Sequence, residues 1–360
     1  MCKGFRNIVI LVLCSLFVGT TWAKEYSAPL QESMSGNKHL VAYADGVKVR
    51  FTFDTGCSSL TINKTLFEEL VRKGMVKWSD LSDLAEAELA NGEMHDVRYF
   101  TIKRLQIGDY TMRNVRASLG VNDRADADPL LGQGVLNRFN AYLVQDGKLY
   151  FDPRPEEMQQ AMYFSDIHHA DTTFAVNQQI VNKLQPYINQ LGNRYRLIYG
   201  QALEYTNRED IAIPLYRQML NGDAFEDEDH SLFKRKLNAM VNYAEQLYHA
   251  ERYTECEEVL LDLKHESQLP DPVYERGLKY AHSTLCYVYW QTKEYDQAER
   301  ATMDYVEYVV APHEWRWLLN HKIAANDDLV KLLRHLAKWY RYNDNEEKAQ
   351  QFDKMAKNAE

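Results

Sequence analysis

The chain has 360 residues, 45% hydrophobic and 26% charged, a balance that fits soluble globular protein and excludes a disordered or membrane-bundle class. Its length suits about two domains, each with its own core. The net charge of −10, with an acidic run at 223–229 (DAFEDED) and no basic aromatic groove to offset it, excludes a general nucleic-acid binder.

The N-terminus reads as a signal peptide over residues 1–23. Lys3 and Arg6 supply the charged region, Ile8 to Val18 the apolar core, and Thr21-Trp22-Ala23 a small-residue cleavage site. The apolar run is too short for a comfortable bilayer span. An exported protein, periplasmic or secreted, is expected, with no stable membrane span after cleavage. Cys14 follows Leu13 where lipid attachment wants a small residue, so it is read as an ordinary signal residue. Cys57, Cys256 and Cys286 remain after cleavage. An odd, sparse set is no disulfide framework, and without a CxxC there is no case for zinc. Cys256 and Cys286 lie in helical patterns as small buried hydrophobes, and their pairing is open at this level.

Residues 24–37 are expected to form an N-terminal extension. From Lys38 the pattern is of short strands and turns. His39 to Tyr43, then Asp45-Gly46, then Val47 to Phe53 predict a hairpin whose second strand alternates and delivers Asp54. Leu60-Thr-Ile returns to strand, and Lys64 to Lys73 predict a short helix. Ala85 to Leu89, Asn91-Gly92 and Met94 to Ile102 predict a second hairpin, and strands follow around Gly108-Asp109. Leu130-Leu131-Gly132 and Val135 to Phe139 follow. A last hairpin turns at Asp146-Gly147 and ends at Phe151.

The stretch Phe51-Thr-Phe-Asp54-Thr55-Gly56-Cys57-Ser58-Ser59, an apolar strand running into Asp-Thr-Gly, resembles the catalytic loop of retropepsin-like aspartic proteases. Leu130-Leu131-Gly132 stand where that family places two apolar residues and a glycine before a short helix, whose start Val135 to Phe139 match; Gln133-Gly134 depart from its usual pair, at a position taken as structural. The resemblance covers about Lys38 to Phe151. It implies a multidomain protein that begins with an all-β closed barrel of the retropepsin-like type, over residues 38–153. It further implies Asp54 as the catalytic carboxylate, Thr55 and Gly56 as the active-site loop, and Leu131 and Gly132 as structural residues near the site. Asn91 and Gly92 fall where the family carries a flap, although a surface hairpin with an Asn-Gly turn explains them equally well.

Asp152-Pro-Arg-Pro155 ends the last strand, and residues 154–185 are expected as a linker. His168, His169, Asp166 and Asp171 are metal-ligating types, but in a polar linker they read as solvated surface, so no metal is expected. Over 186–360 a helix-hairpin signature recurs at Asn207 to Ala212, Glu251 to Cys256, Lys293 to Ala298 and Asp344 to Ala349, with the small residues 44, 42 and 51 apart. This resembles tetratricopeptide-type repeats, with a period longer than their ~34 residues, and implies an all-α solenoid of at least four hairpins.

A carboxylate protease needs two Asp side chains that share a proton over a water, with no cofactor. The sequence holds one Asp-Thr-Gly, and Asp171-Thr172-Thr173 lacks the glycine and the strand. By resemblance, a homodimer brings two Asp54 residues together, with Thr55 hydrogen-bonded across the two-fold axis. Cys57 as a thiol nucleophile has no papain-like signature, with His95 the one partner considered. No G-x-S-x-G elbow supports Ser58 or Ser59 in a triad. Two readings stand. One is an exported aspartic endopeptidase, homodimeric, acting on a peptide or protein substrate, whose repeats dock a substrate or partner protein. The other is a catalytically silent protease-like dimerisation module in a repeat-based binding scaffold.

Overall fold

A computed structural model of the chain describes residues 26–88, 94–121, 127–221, 230–266, 272–311 and 313–360. Residues 1–23, read above as a signal peptide, lie outside them, as do Asn91 and Gly92. The chain divides into two compact units, Met1–Tyr163 and Phe164–Glu360.

The first unit is built on strands β1 (Tyr26–Glu32), β2 (Lys38–Ala44), β3 (Val47–Phe53), β4 (Leu60–Ile62), β5 (Ala85–Glu88), β6 (Met94–Ile107), β7 (Tyr110–Gly120), β8 (Leu130–Leu131), β9 (Phe139–Gln145) and β10 (Lys148–Pro153). Where a closed barrel is expected from the sequence, the pairings establish one ten-stranded sheet in the order β5-β6-β7-β4-β8-β3-β2-β1-β10-β9, with β6 also bonded to β2. In β3, Val47, Val49 and Phe51 point inward while Lys48 and Arg50 point out, the period-two signature of a half-buried strand. Its hairpin to β2 turns on Asp45 and Gly46, both at positive φ (47° and 82°), a turn whose twist matches the strands. The Asp45 carboxylate is buried and accepts the Lys103 and Arg104 amides at 3.1 and 2.9 Å, tying the turn to β6.

Helix α1 (Lys64–Arg72) starts at Asn63, whose side-chain oxygen accepts the Leu66 amide at 2.8 Å. It buries Leu66, Phe67 and Leu70, and the Phe67 ring meets Phe100 and Trp78 edge-on. The core is continuous through Phe51, Leu60, Ile62, Phe67, Ile102, Leu105, Val115, Leu131 and Val135.

Four sequence expectations change here. The 24–37 extension contains β1, which pairs with β10 through Tyr26 to Pro29 and with β2 through Leu30 to Glu32. Pro29 obscures the strand in the sequence, yet it sits where β1 changes partner, so its missing N–H falls at the break between two ladders. The helix expected over Val135 to Phe139 is α2 (Gln133–Leu136), and Phe139 already opens β9. The 154–185 linker is largely helical, as α3 (Glu156–His168) and α4 (Phe174–Leu184). Asp166 is buried rather than solvated: it accepts from Arg194 at 2.8 Å and from the Tyr195 hydroxyl at 3.0 Å.

The second unit continues with α5 (Asn193–Glu204), α6 (Glu209–Leu220), α7 (His230–His249), α8 (Tyr253–Glu266), α9 (Pro272–Gln291), α10 (Tyr295–Val310), α11 (Asp327–Tyr342) and α12 (Glu346–Asn358). Each of these helices packs on the next along the chain, and α5, α7, α9 and α11 also touch in succession. The four repeated signatures share one turn. Asn207, Glu251, Lys293 and Asp344 take positive φ of 55–63°. The residue after each returns a hydrogen bond of 2.9 Å into the preceding helix, from Arg208 to Leu203, Arg252 to Leu247, Glu294 to Tyr289 and Asn345 to Tyr340. This is the left-handed cap that satisfies the last carbonyls of a helix. Ala212, Cys256, Ala298 and Ala349, the small residues of the signature, are all fully buried. Helix α11 buries Leu329, Leu332, Leu333, Leu336 and Tyr340 on one stripe, into a core with Tyr305, Phe352 and Met355. Trp315, Trp317 and Trp339 pack against this core. Among the described residues no helix is long and apolar enough to cross a membrane.

Candidate active site

Asp54 is the first residue beyond β3, and the strand ends there because its partner β8 is two residues long. Thr52 and Phe53 pair in parallel with Leu130 and Leu131, and the Asp54 amide donates to the Leu131 carbonyl at 3.1 Å. The loop over 54–59 then crosses to β4, which pairs with β8 antiparallel and with β7 in parallel. Two strands held side by side by a third thus deliver the carboxyl.

Asp54 is half-buried, while Thr55, Gly56 and Ser58 are exposed. The Asp54 Oδ1 accepts the Gly56 amide at 2.9 Å and the Cys57 amide at 3.3 Å. Both hydrogen bonds fix the rotamer of the carboxyl. Gly56 does not need a left-handed backbone; it supplies an amide with no side chain in the way.

Gly132 is the tighter glycine. A Cβ there would lie 2.2 Å from the Cys57 carbonyl oxygen and 2.6 Å from that of Ser59. The close approach lets the Gly132 amide reach the Ser59 oxygen at 3.1 Å and the Gln133 amide reach the Cys57 oxygen at 2.7 Å. The fully buried Leu131 holds the segment in the core.

Two features escape sequence reasoning. The Gln133 side chain, read as structural filling, donates from Nε2 to the Thr55 carbonyl oxygen at 2.8 Å. Beneath the loop, the hydroxyls of Ser59, Thr61 and Ser118 lie within 2.9–3.2 Å of one another, and Cys57 Sγ sits 3.6 Å from Thr61 Oγ1 and 3.4 Å from the Ser59 oxygen. Ser118 comes from β7, 59 residues away from Ser59, and nothing in the local pattern announces it. Cys57 therefore sits in a hydroxyl-lined floor and fills the small slot after the tripeptide.

Strands β5 and β6 pair from Ala85↔Val97 to Glu88↔Met94, and the flap candidates Asn91 and Gly92 between them are outside the described residues. No group of His, Cys, Asp and Glu able to hold a metal exists among the described residues. Cys256 and Cys286 are free thiols, both buried, and burial pushes each up to about 12.

A family model described as "gag-polyprotein putative aspartyl protease" matches residues 41–138. Among solved structures the chain is similar to a retropepsin-like aspartic protease from Rickettsia conorii, at 23% identity and a TM-score of 0.28, over 34% of this chain and 97% of that one. It is also similar to BtubC (BKLC) from P. vanneervenii, at 14% identity and a TM-score of 0.35, over 56% of this chain and 78% of that one. No curated protein matches the chain. The aspartyl-protease match thus covers Asp54, Thr55, Gly56, Leu131 and Gly132, and it lies within the first unit.

Proposed function

We propose that the protein is an exported aspartic endopeptidase whose catalytic dyad forms when two copies each contribute Asp54. The observation that carries the reading is the carboxylate held by the Gly56 and Cys57 amides on a loop whose Thr55, Gly56 and Ser58 face solvent. The aspartyl-protease family match over residues 41–138 supports the same chemistry. The sequence supplies one Asp-Thr-Gly per chain, and a dyad needs two.

In the dimer the two carboxyls cannot both ionise at close range, so they share one proton. The ionised member takes a proton from a bound water, and the protonated member hydrogen-bonds the scissile carbonyl. The pair titrates as a unit. By the resemblance to retropepsin-like proteases, Thr55 hydrogen-bonds to the opposite loop, and the hairpin of β5 and β6 forms the flap that covers substrate. The pairing of β6 with both β7 and β2 supports a closed barrel. The four equivalent caps and buried small residues support a tetratricopeptide-type solenoid that docks the protein substrate or a partner. The apolar N-terminal run with its small-residue end supports export to the periplasm or medium.

The test is hydrolysis of denatured protein at pH 4–7, with specific activity followed against enzyme concentration. Activity that falls on dilution as dimers dissociate, and that Asp54→Asn abolishes, supports the reading. Equal silence of wild type and Asp54→Asn in a demonstrably dimeric protein overturns it in favour of the silent dimerisation module.

A further inference from the structure

The Thr55–Gly56 peptide group is held at both ends. Its N–H donates to Asp54 Oδ1 at 2.9 Å, and its C=O accepts from Gln133 Nε2 at 2.8 Å. In a trans peptide these two groups point in opposite directions along one rigid plane. Fixing the oxygen therefore fixes the direction of the N–H.

The rest of the loop explains why this tether matters. Its ends are anchored by backbone bonds, from Asp54 to Leu131, from Gly132 to Ser59 and from Gln133 to Cys57. The middle, Thr55 and Gly56, is exposed and has the Gln133 side chain as its link to α2. Gln133 is itself held, because its own amide donates to the Cys57 oxygen at 2.7 Å and α2 begins at it. The amide thus spans 78 residues of sequence to connect the half-buried start of α2 to the exposed turn.

We propose that Gln133 is a positioning residue for the Asp54 loop, acting through the chain Gln133 Nε2–H to Thr55 C=O and Gly56 N–H to Asp54 Oδ1. Polarising the carbonyl strengthens the N–H as a donor, since linked hydrogen bonds reinforce one another. It also sets the direction of Thr55, the residue next to the second subunit. The inference rests on the reading of Asp54 as half of a dyad, but the tether itself is independent of turnover.

The closing experiment compares full-length wild type, Gln133→Met and Gln133→Glu. Gln133→Met keeps the side chain's length and removes the donor. Gln133→Glu presents a donor only when its carboxyl is protonated. Amide exchange at Gly56 is expected to rise about 10-fold in Gln133→Met, with the unfolding midpoint within error of wild type, because one exposed hydrogen bond is lost and no core is touched. On a peptide substrate, kcat is expected to fall about 10-fold with KM within about twofold. Gln133→Glu approaches wild type at the acid end and departs from it as pH rises, an outcome a packing role for the side chain does not produce. Unchanged exchange at Gly56 in Gln133→Met overturns the proposal whether or not the protein turns over. A wild-type kcat in that variant, while Asp54→Asn is inactive, overturns it and leaves the dyad reading intact.

Discussion

Replacing Gly132 by Ala tests how the Asp54 loop is held. Gly132 has an ordinary extended backbone (φ −116°, ψ −155°), so alanine meets no conformational penalty and the whole effect comes from space. The added Cβ would lie 2.2 Å from the Cys57 oxygen and 2.6 Å from the Ser59 oxygen, both backbone atoms that cannot rotate away. Relief needs a shift of about 1 Å between the loop and the start of α2, an overpacking strain of about 1–3 kcal/mol. The two oxygens that must retreat are the acceptors of the Gly132 and Gln133 amides, at 3.1 and 2.7 Å. Losing both hydrogen bonds adds about 1 kcal/mol each, for a total near 3–5 kcal/mol. Urea unfolding followed by amide exchange in β3, β4 and β8 reads this as a lower midpoint for the first unit. Peptidase activity is expected to drop about 100-fold, the usual effect of misplacing a reacting group by about 1 Å. Gly192→Ala is the control: no heavy atom lies within 4 Å of its added Cβ, so it should cost no more than the loss of glycine as the N-cap of α5, about 0.5–1 kcal/mol. A Gly132→Ala protein with the wild-type midpoint and rate would refute the claim that this close approach positions Asp54.

Other perturbations probe the helical unit. Burial first, and then the charges of Glu245 and Glu209, raise Glu204 from 4.5 to about 7; Tyr216 and Tyr280 face the same carboxylates, and His249 stands 3.9 Å from Glu245. The folded state therefore holds this proton more tightly than the unfolded chain. Its contribution is full below about pH 4.5, is lost as pH rises to about 7 and is level above that. Glu204→Gln should flatten this slope and stabilise the protein by about 1–2 kcal/mol at pH 8, after allowance for partial solvent screening. Urea midpoints by far-UV circular dichroism at pH 5 and 8 decide the point, and parallel pH dependences for variant and wild type would sink it. Burial lowers His282 to about 4, which weakens the protein on acidification in both proteins and cancels in the difference. Glu251→Gly and Lys293→Gly should each add about 0.5–1 kcal/mol, because both side chains sit at positive φ (56° and 63°) where glycine is unstrained; a loss of stability would show that those side chains matter more than their backbone. Native thiol labelling at pH 8 should modify half-buried Cys57 long before Cys256 and Cys286, whose burial suppresses the thiolate, and equal rates for all three would contradict that order.

Local chemistry made a good part of the architecture legible without coordinates. Turn residues and period-two alternation located the β2–β3 hairpin and the end of β3 at Asp54, because both depend on neighbours within a few residues. The four helix-hairpin signatures held for the same reason: Asn207, Glu251, Lys293 and Asp344 each begin a polar turn, and each proves to be the left-handed cap. Leu130-Leu131-Gly132 could be found as a motif, but its meaning depends on distance. Only the folded chain brings β8 beside β3 and presses Gly132 onto the Cys57 and Ser59 carbonyls.

Where reading the sequence fell short, the decisive partner lay far along the chain. Pro29 argues against a strand until β10 and β2 are both in place to share it. The polar segment around Asp166 reads as linker until Arg194 and Tyr195 arrive to receive the carboxylate. Gln133 reads as filler until Thr55 is folded against it. By itself the sequence determined where the β2–β3 hairpin and the four helix hairpins turn and which carboxyl stands at the end of β3, since these follow from backbone preference and side-chain period. The tertiary structure alone decided what braces the loop that carries that carboxyl, because the hydrogen bond from Gln133 to the Thr55 carbonyl, across 78 residues, depends on the packing of the whole sheet rather than on any local preference.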